Sequence, residues 1–151
     1  MAGTWILTGS LENFRVTREY GFRVIGAKER RRRLAERIEP GDRIVLYVTG
    51  VQAFAGIVQV TGEMYEDRSP IWPGKPSNPD AYPWRFETEP EAVLEEDDFV
   101  PAAELADQLE HVRKWPLEHW HLAFQGQLRR VSDVDARLLE DRIRERAGAP
   151  A

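Results

Sequence analysis

Hydrophobic and polar positions along the chain alternate between two periods. Trp5, Ile6, Leu7 and Thr8 read as a short buried strand, broken by Gly9 and Ser10. Ser10 is suited to cap a short helix that runs through Asn13 and Phe14 and ends near Gly21. Phe22 to Ile25 is apolar apart from Arg23, and Gly26 closes that run. Helical spacing returns over 28–38, where Ala27, Arg31, Leu34 and Ile38 fall on one face and predict a helix. Pro40, Gly41 and Asp42 then make a turn, since proline presets φ and glycine accepts positive φ. Residues 43–49 form a β-branched apolar run with a central-strand pattern. After Gly50, Val51 and Gln52 turn the chain, 54–61 predicts a second strand paired to it as a hairpin. Gly56 marks a bulge or a close backbone approach.

The second half is less regular. Five of the ten prolines fall in 68–83, a composition that disfavours regular structure before Tyr82. A loop this long is either functional or disordered, and its aromatics Trp72 and Tyr82, with Trp84 beside it, argue against disorder. The pattern predicts a strand over 84–94, helices over 101–109 and 116–120, and a last short strand over 122–128. A final helix is capped by Ser132, with Asp135 in the third position. Val134, Leu138, Leu139 and Ile143 supply its apolar face, and Gly148 and Pro150 stop it. Strands joined by irregular loops, with helices inserted, predict an α+β fold with a curved mixed sheet or small open barrel; the spacing does not fit repeated βαβ units.

Composition narrows the function. The 151 residues suit one domain spanning 1–151. With no cysteine there is no disulfide, thiolate metal site or cysteine nucleophile, which fits a reducing compartment. Apolar stretches such as 44–48 are too short to span a bilayer, and residues 1–6 lack the features of a signal peptide, so a cytoplasmic protein with no membrane partner is expected. The formal net charge of −5 argues against a bulk electrostatic grip on nucleic acid. It leaves room for a local basic face, because 28–37 is strongly basic and 87–98 strongly acidic.

The chemistry-bearing residues are sparse. His119 and His121 flank Trp120 and would share one face of a strand, with His111 nearby. A zinc site needs further ligands that the chain offers only as scattered carboxylates, so packing or capping beside tryptophans is favoured, and neither metal nor cofactor is expected. Ser10, Ser69, Ser77 and Ser132 lack a nucleophile-elbow context. Gly9, Gly21 and Gly26 make no dinucleotide fingerprint. The acidic run reads as a solvated face. Arg30, Arg31, Arg32 and Arg33 surround nearly a full turn, and either touch phosphate or form salt bridges such as Glu29 with Arg33. The aromatics are the strongest constellation. Trp72 and Trp84 either stack on a planar base, for ~1–3 kcal/mol each, or seal the core beneath a long loop.

A set of short motifs, in order from Trp5 to Ile143, resembles the EVE domain. They include Trp5-Ile6, Glu12-Asn13-Phe14, Gly21-Phe22 before the arginine-rich stretch, and Pro40-Gly41-Asp42-Arg43-Ile44-Val45. Tyr47-Val48-Thr49-Gly50, Phe54-Ala55-Gly56-Ile57, Pro70-Ile71-Trp72-Pro73, Tyr82-Pro83-Trp84, Lys114-Trp115-Pro116 and Phe124-Gln125-Gly126 follow. The EVE family belongs to the PUA-like superfamily and is similar to YTH domains. The resemblance implies a curved, barrel-like sheet flanked by helices, with a pocket that accepts one nucleobase. YTH domains read methylated adenine in RNA through an aromatic cage, and EVE domains are thought to read modified bases in DNA or RNA.

Carried over residue by residue, Trp72 matches the cage ring on the loop after the hairpin. The first cage position, often tryptophan in relatives, is Arg23 here; its guanidinium can still stack on a base. Phe22 and Tyr20 are the neighbouring rings. Ser10, Glu12 and Asn13 would border the pocket, with Tyr47 and Gln125 on its rim or floor. Lys28, Arg30, Arg31 and Arg33 would meet the phosphates. The expected function is non-catalytic reading of a modified nucleobase in DNA or RNA. One alternative is a PUA-like hydrolase of a modified nucleoside, although Lys28, Lys75 and Lys114 do not stand where that chemistry needs its lysine. The other is a protein-interaction module presenting the proline loop.

Overall fold

The computed structural model describes residues 3–72, 82–110 and 128–148. Strand β1 (Thr4–Gly9) lies parallel to β3 (Arg43–Val48), from Thr4 opposite Arg43 to Gly9 opposite Val48. Helix α1 (Leu11–Glu19) follows β1 directly, and β2 (Val24–Ala27) comes next. The predicted hairpin forms between β3 and β4 (Ala53–Val60). On the far side of β4 runs β6 (Trp84–Val93), while the short β5 (Tyr65–Glu66) pairs with the start of β6. Strand β7 (Val100–Pro101) extends the end of β4, and β8 (Leu128–Val131) pairs antiparallel with β1. The order along the sheet is β2-β6-β4-β3-β1-β8, so it is mixed.

The sheet curls because β6 changes partners along its length. Trp84 to Glu87 pairs with β2, whereas Thr88 to Val93 pairs with β4. A register shift falls where Val58 faces Pro90 and Ile57 faces Ala92, leaving Glu91 as the extra residue. Proline has no N–H to give the ladder and is tolerated at such a bulge, which also bends the strand. Gly56 faces the same stretch: a Cβ there would lie 2.9 Å from the Ala92 carbonyl oxygen. The close approach foreseen at Gly56 is therefore the contact that lets β4 and β6 meet at the bend. The result is a curved, half-barrel mixed sheet with three α-helices among the described residues. Its core holds Trp5, Ile44, Phe54, Ile57, Phe86 and Leu139.

Four local expectations are corrected. The helix over 28–38 is instead a 3-10 turn (Glu29–Arg31) followed by one helical turn, α2 (Arg32–Ala35). Trp84 explains the tighter winding: its Nε1–H donates to Glu29 Oε2 at 2.6 Å, and Arg32 stacks 4.5 Å from its ring centroid. Those two residues are three apart, and i and i+3 eclipse in a 3-10 turn. The expected Glu29–Arg33 pair gives way to Glu29 with Arg68, and to Arg32 with Glu36. Over 101–109 the chain spends Val100 and Pro101 as β7 and then makes a 3-10 turn (Ala102–Glu104). Helix α3 (Asp133–Gly148) is capped by Ser132, whose Oγ accepts from Asp135 N at 3.2 Å, but Val134 is 62% exposed. Its buried face is Asp135, Ala136, Leu139 and Ile143; Asp135 turns inward to accept from Glu110 N at 2.8 Å. Hydropathy alone does not foresee a carboxylate on a buried face.

The strand expected over 122–128 meets the described residues only at Leu128, where β8 begins. The helix over 116–120, the three histidines and Gln125 lie outside the described residues.

Candidate functional site

A cleft opens at the C-terminal ends of β1 and β3, against the first turns of α1. About 460 Å³ of empty space lies in it and its open mouth, of which its enclosed part is about 50 Å³. Leu7, Phe14, Ile25, Leu46 and Val48 give it an apolar floor. That floor follows from the strand pattern: β1 and β3 run side by side in register, so their last residues reach the same end of the sheet. Phe14 is fixed from below by Phe22 and Phe99, with ring centroids 5.6 and 5.1 Å away.

The polar wall comes from α1. Ser10, Asn13 and Thr17 follow one another at three- and four-residue spacing and therefore share one face of the helix. Ser10 is the N-cap, and its Oγ accepts from Asn13 N at 3.1 Å. Thr17 Oγ1 donates to the Asn13 carbonyl at 3.0 Å and accepts from Trp72 Nε1 at 2.8 Å. Asn13 Nδ2 donates to the Tyr82 hydroxyl at 2.9 Å. Two hydrogen bonds, one turn apart, thus tie α1 to both rings of the opposite wall.

That wall is aromatic. Trp72 and Tyr82 meet edge to face with centroids 5.7 Å apart. Trp72 is only 6% exposed yet lines the cleft. Gly26 makes room for both rings: a Cβ there would come within 2.6 Å of Trp72 Cζ3 and 2.9 Å of Tyr82 Cβ. Tyr47 lies in the floor, and burial pushes its phenol up to about 12, so it is a neutral hydroxyl at ordinary pH.

The residues singled out from sequence fall into three groups. Ser10, Asn13, Tyr47 and Trp72 line the cleft. Glu12 and Arg23 are exposed outside the described lining. Phe22 is buried at φ 57° beneath Phe14, where its carbonyl accepts from Thr88 Oγ1, so it serves the core and not the cleft. Of the four cations, Lys28 stands nearest the cleft, with Nζ 5.9 Å from the Tyr82 ring centroid. Arg30 and Arg33 are exposed, while Arg31 is partly buried and its Nε has no hydrogen-bond partner among the described residues. Trp84 takes the core-sealing role as part of β6.

Sequence reasoning passed over Thr17, Tyr82 and Gly26 as site residues. Thr17 was detectable as the third member of a polar stripe with Ser10 and Asn13. Tyr82 belongs to the same aromatic segment as Trp72. Gly26 carries no local signal, because the rings that need its space lie more than forty positions away.

No group of three or more metal-ligating side chains occurs among the described residues, and no helix among them is long and apolar enough to cross a membrane. The EVE domain family matches residues 4–141. The UPF0310 protein PH1033 of Pyrococcus horikoshii is 27% identical over 146 residues, covering 90% of this chain and 95% of that protein. Among solved structures, the YTH domain of Zygosaccharomyces rouxii MRB1 in complex with N6-methyladenosine RNA is similar at a TM-score of 0.64 and 12% identity. It covers 95% of this chain and 87% of its own. Human THYN1 in complex with 5-methylcytosine-containing DNA is similar at a TM-score of 0.60 and 16% identity, covering 93% and 98%.

Proposed function

The chain belongs to the EVE domain family, and we propose that it is a non-catalytic module that binds DNA or RNA by reading one modified nucleobase in the cleft. The observation that carries this reading is the pairing of a two-ring wall, Trp72 and Tyr82, with a polar helix face, Ser10 and Asn13, above an apolar floor. A base offers two things to such a site. Its π-face stacks on a ring, worth ~1–3 kcal/mol per base, and its edge presents donors and acceptors that hydroxyl and amide groups match.

A base leaves its stack to enter a pocket of this kind, and base modification changes the energy of that exchange. In this reading Trp72 is the stacking wall, Ser10 and Asn13 face the base edge, and Tyr47 forms the floor. Gln125, outside the described residues, is the further candidate that the family resemblance offers for the rim or floor. Lys28 beside Tyr82, followed by Arg30, Arg31 and Arg33, would meet the backbone phosphates. The relatives add support: one similar fold holds N6-methyladenosine RNA and another holds DNA with 5-methylcytosine.

The test is a thermal-shift screen of modified nucleosides and short oligonucleotides, because a ligand bound only by the native state raises the melting temperature by mass action. Hits are then titrated against the parent and Trp72→Ala. The expected result is tighter binding of the modified oligonucleotide by the parent, a salt dependence from phosphate contacts, and loss of discrimination in the variant. A Trp72→Ala protein that separates modified from plain oligonucleotides as the parent does would refute the reading.

A further inference from the structure

Behind the aromatic wall lies a buried charge. Arg85 stands opposite Gly26 in the β2–β6 pairing and is 1% exposed. Its guanidinium carbon lies over the Trp72 ring, 5.4 Å from the centroid, and Arg85 is not part of the cleft lining. The ring therefore separates the cation from the cleft. The guanidinium is fixed in place by its fork of donors: Nε to the Tyr82 carbonyl at 3.1 Å, Nη1 to Ser69 Oγ at 3.2 Å, and Nη2 to the Ser69 carbonyl. Its carboxylate partner, Asp67, lies 3.3 Å away on the solvent side and also accepts from Ser69 N and Oγ. With its side chain 43% exposed, Asp67 offsets the buried charge only in part.

We propose that Arg85 is a specificity-determining residue of the cleft, selecting neutral bases over cationic ones through Trp72. An indole attracts a cation through the negative potential of its π-face. A cation already resting on one face uses that potential and draws electron density toward itself. A second cation on the opposite face, stacked at ~3.5 Å, would lie about 9 Å from the guanidinium; at an effective dielectric near 20, like charges at that range cost roughly twentyfold in affinity. A neutral base meets no such repulsion and keeps its stacking. The cleft is thereby set for bases alkylated without gaining charge, and against those whose alkylation makes them cationic near pH 7. This inference rests on the reading of the cleft as a nucleobase site.

Isomer pairs test it. N6-methyladenosine and 5-methylcytidine are neutral near pH 7, whereas their isomers N1-methyladenosine and N3-methylcytidine, with the same heavy atoms, hold one more proton there and are cationic. Affinities for each pair are measured by calorimetry with the parent, Arg85→Met, Arg85→Lys and Asp67→Asn. The neutral-over-cationic ratio is expected to fall by up to roughly twentyfold in Arg85→Met, to persist in Arg85→Lys, and to widen in Asp67→Asn. Loss of the guanidinium fork in Arg85→Lys weakens both isomers alike. A merely structural role would shift both isomers equally and leave the ratio unchanged in Arg85→Met and Asp67→Asn, and that outcome overturns the proposal. If Arg85→Met does not fold, Asp67→Asn decides the matter: a wider ratio than the parent's supports the proposal, and an equal one overturns it. A parent that binds neutral nucleosides through Trp72 with an unmoved ratio sinks this inference alone; a parent that binds no nucleoside sinks the nucleobase reading with it.

Discussion

The indole N–H of Trp72 donates to the hydroxyl of Thr17 at 2.8 Å, and the same hydroxyl donates to the Asn13 carbonyl at 3.0 Å. One oxygen on α1 thus sets the orientation of the main aromatic wall. Thr17→Val keeps the shape and removes the acceptor, leaving a buried N–H unpaired, which costs about 1–3 kcal/mol. Chemical denaturation should show a lower midpoint for Thr17→Val, with Thr17→Ser close to the parent. Equal midpoints for Val and Ser variants would mean that the bond contributes nothing.

Gly26 is needed for space. A single methyl group there would lie 2.6 Å from Trp72 and 2.9 Å from Tyr82, closer than real Cβ contacts. Gly26→Ala should destabilise by about 1–3 kcal/mol through overpacking and should displace the rings enough to abolish base-dependent melting shifts. Gly41→Ala is a poor control, since φ there is +96°. Gly50→Ala has open space and should change little.

Asp42 is a hub as well as a turn residue. Its carboxylate accepts from Gly3 N at 2.9 Å, Trp5 Nε1 at 3.0 Å and Glu39 N at 3.1 Å. These bonds join the start of β1 to the turn before β3, and so set the parallel pairing at whose far end the cleft lies. Asp42→Ala removes the acceptor for all three donors and should cost about 3 kcal/mol or more. Asp42→Asn keeps one oxygen and turns an amide N–H toward donors, so its denaturation midpoint should fall between parent and Ala.

Tyr47 predicts an alkaline decline in stability. Burial raises its phenol from near 10 to about 12 in the folded chain. Between those values the unfolded chain has lost the proton that the native chain keeps, so native binds more protons and stability falls as pH rises. The contribution is intact below pH ~10 and is lost toward pH ~12, with a slope of at most about 1.4 kcal/mol per pH unit. Urea midpoints from pH 9 to 12 should decline less steeply in Tyr47→Phe than in the parent. Parallel declines would show that Tyr47 ionises as freely in the native chain as in the unfolded one.

The four longest strands were legible because burial writes itself into a local period. The runs of β1, β3, β4 and β6 stand within a residue or two of where periodicity places them. Ser10 and Ser132 declared their caps, since a hydroxyl before a helical run satisfies the first free N–H groups wherever the helix goes next. The winding of 29–35 was hidden, because Trp84, some fifty positions away, decides it through Glu29 and Arg32. Likewise the inward turn of Asp135 depends on Glu110, and the exposure of Val134 follows from which face of α3 that contact selects.

The aromatic wall divides the same way. Its residue types, and the family to which the chain belongs, are readable from Trp5 to Ile143 as ordered motifs, because strands, turns and caps obey nearest-neighbour chemistry. Which rings face the cleft is set by contacts between distant segments. Trp72 needs Thr17 beside it, Gly26 to clear space and Arg85 behind it. Those three come from α1, β2 and β6, and only the closure of the curved sheet brings them within a few ångströms of one indole.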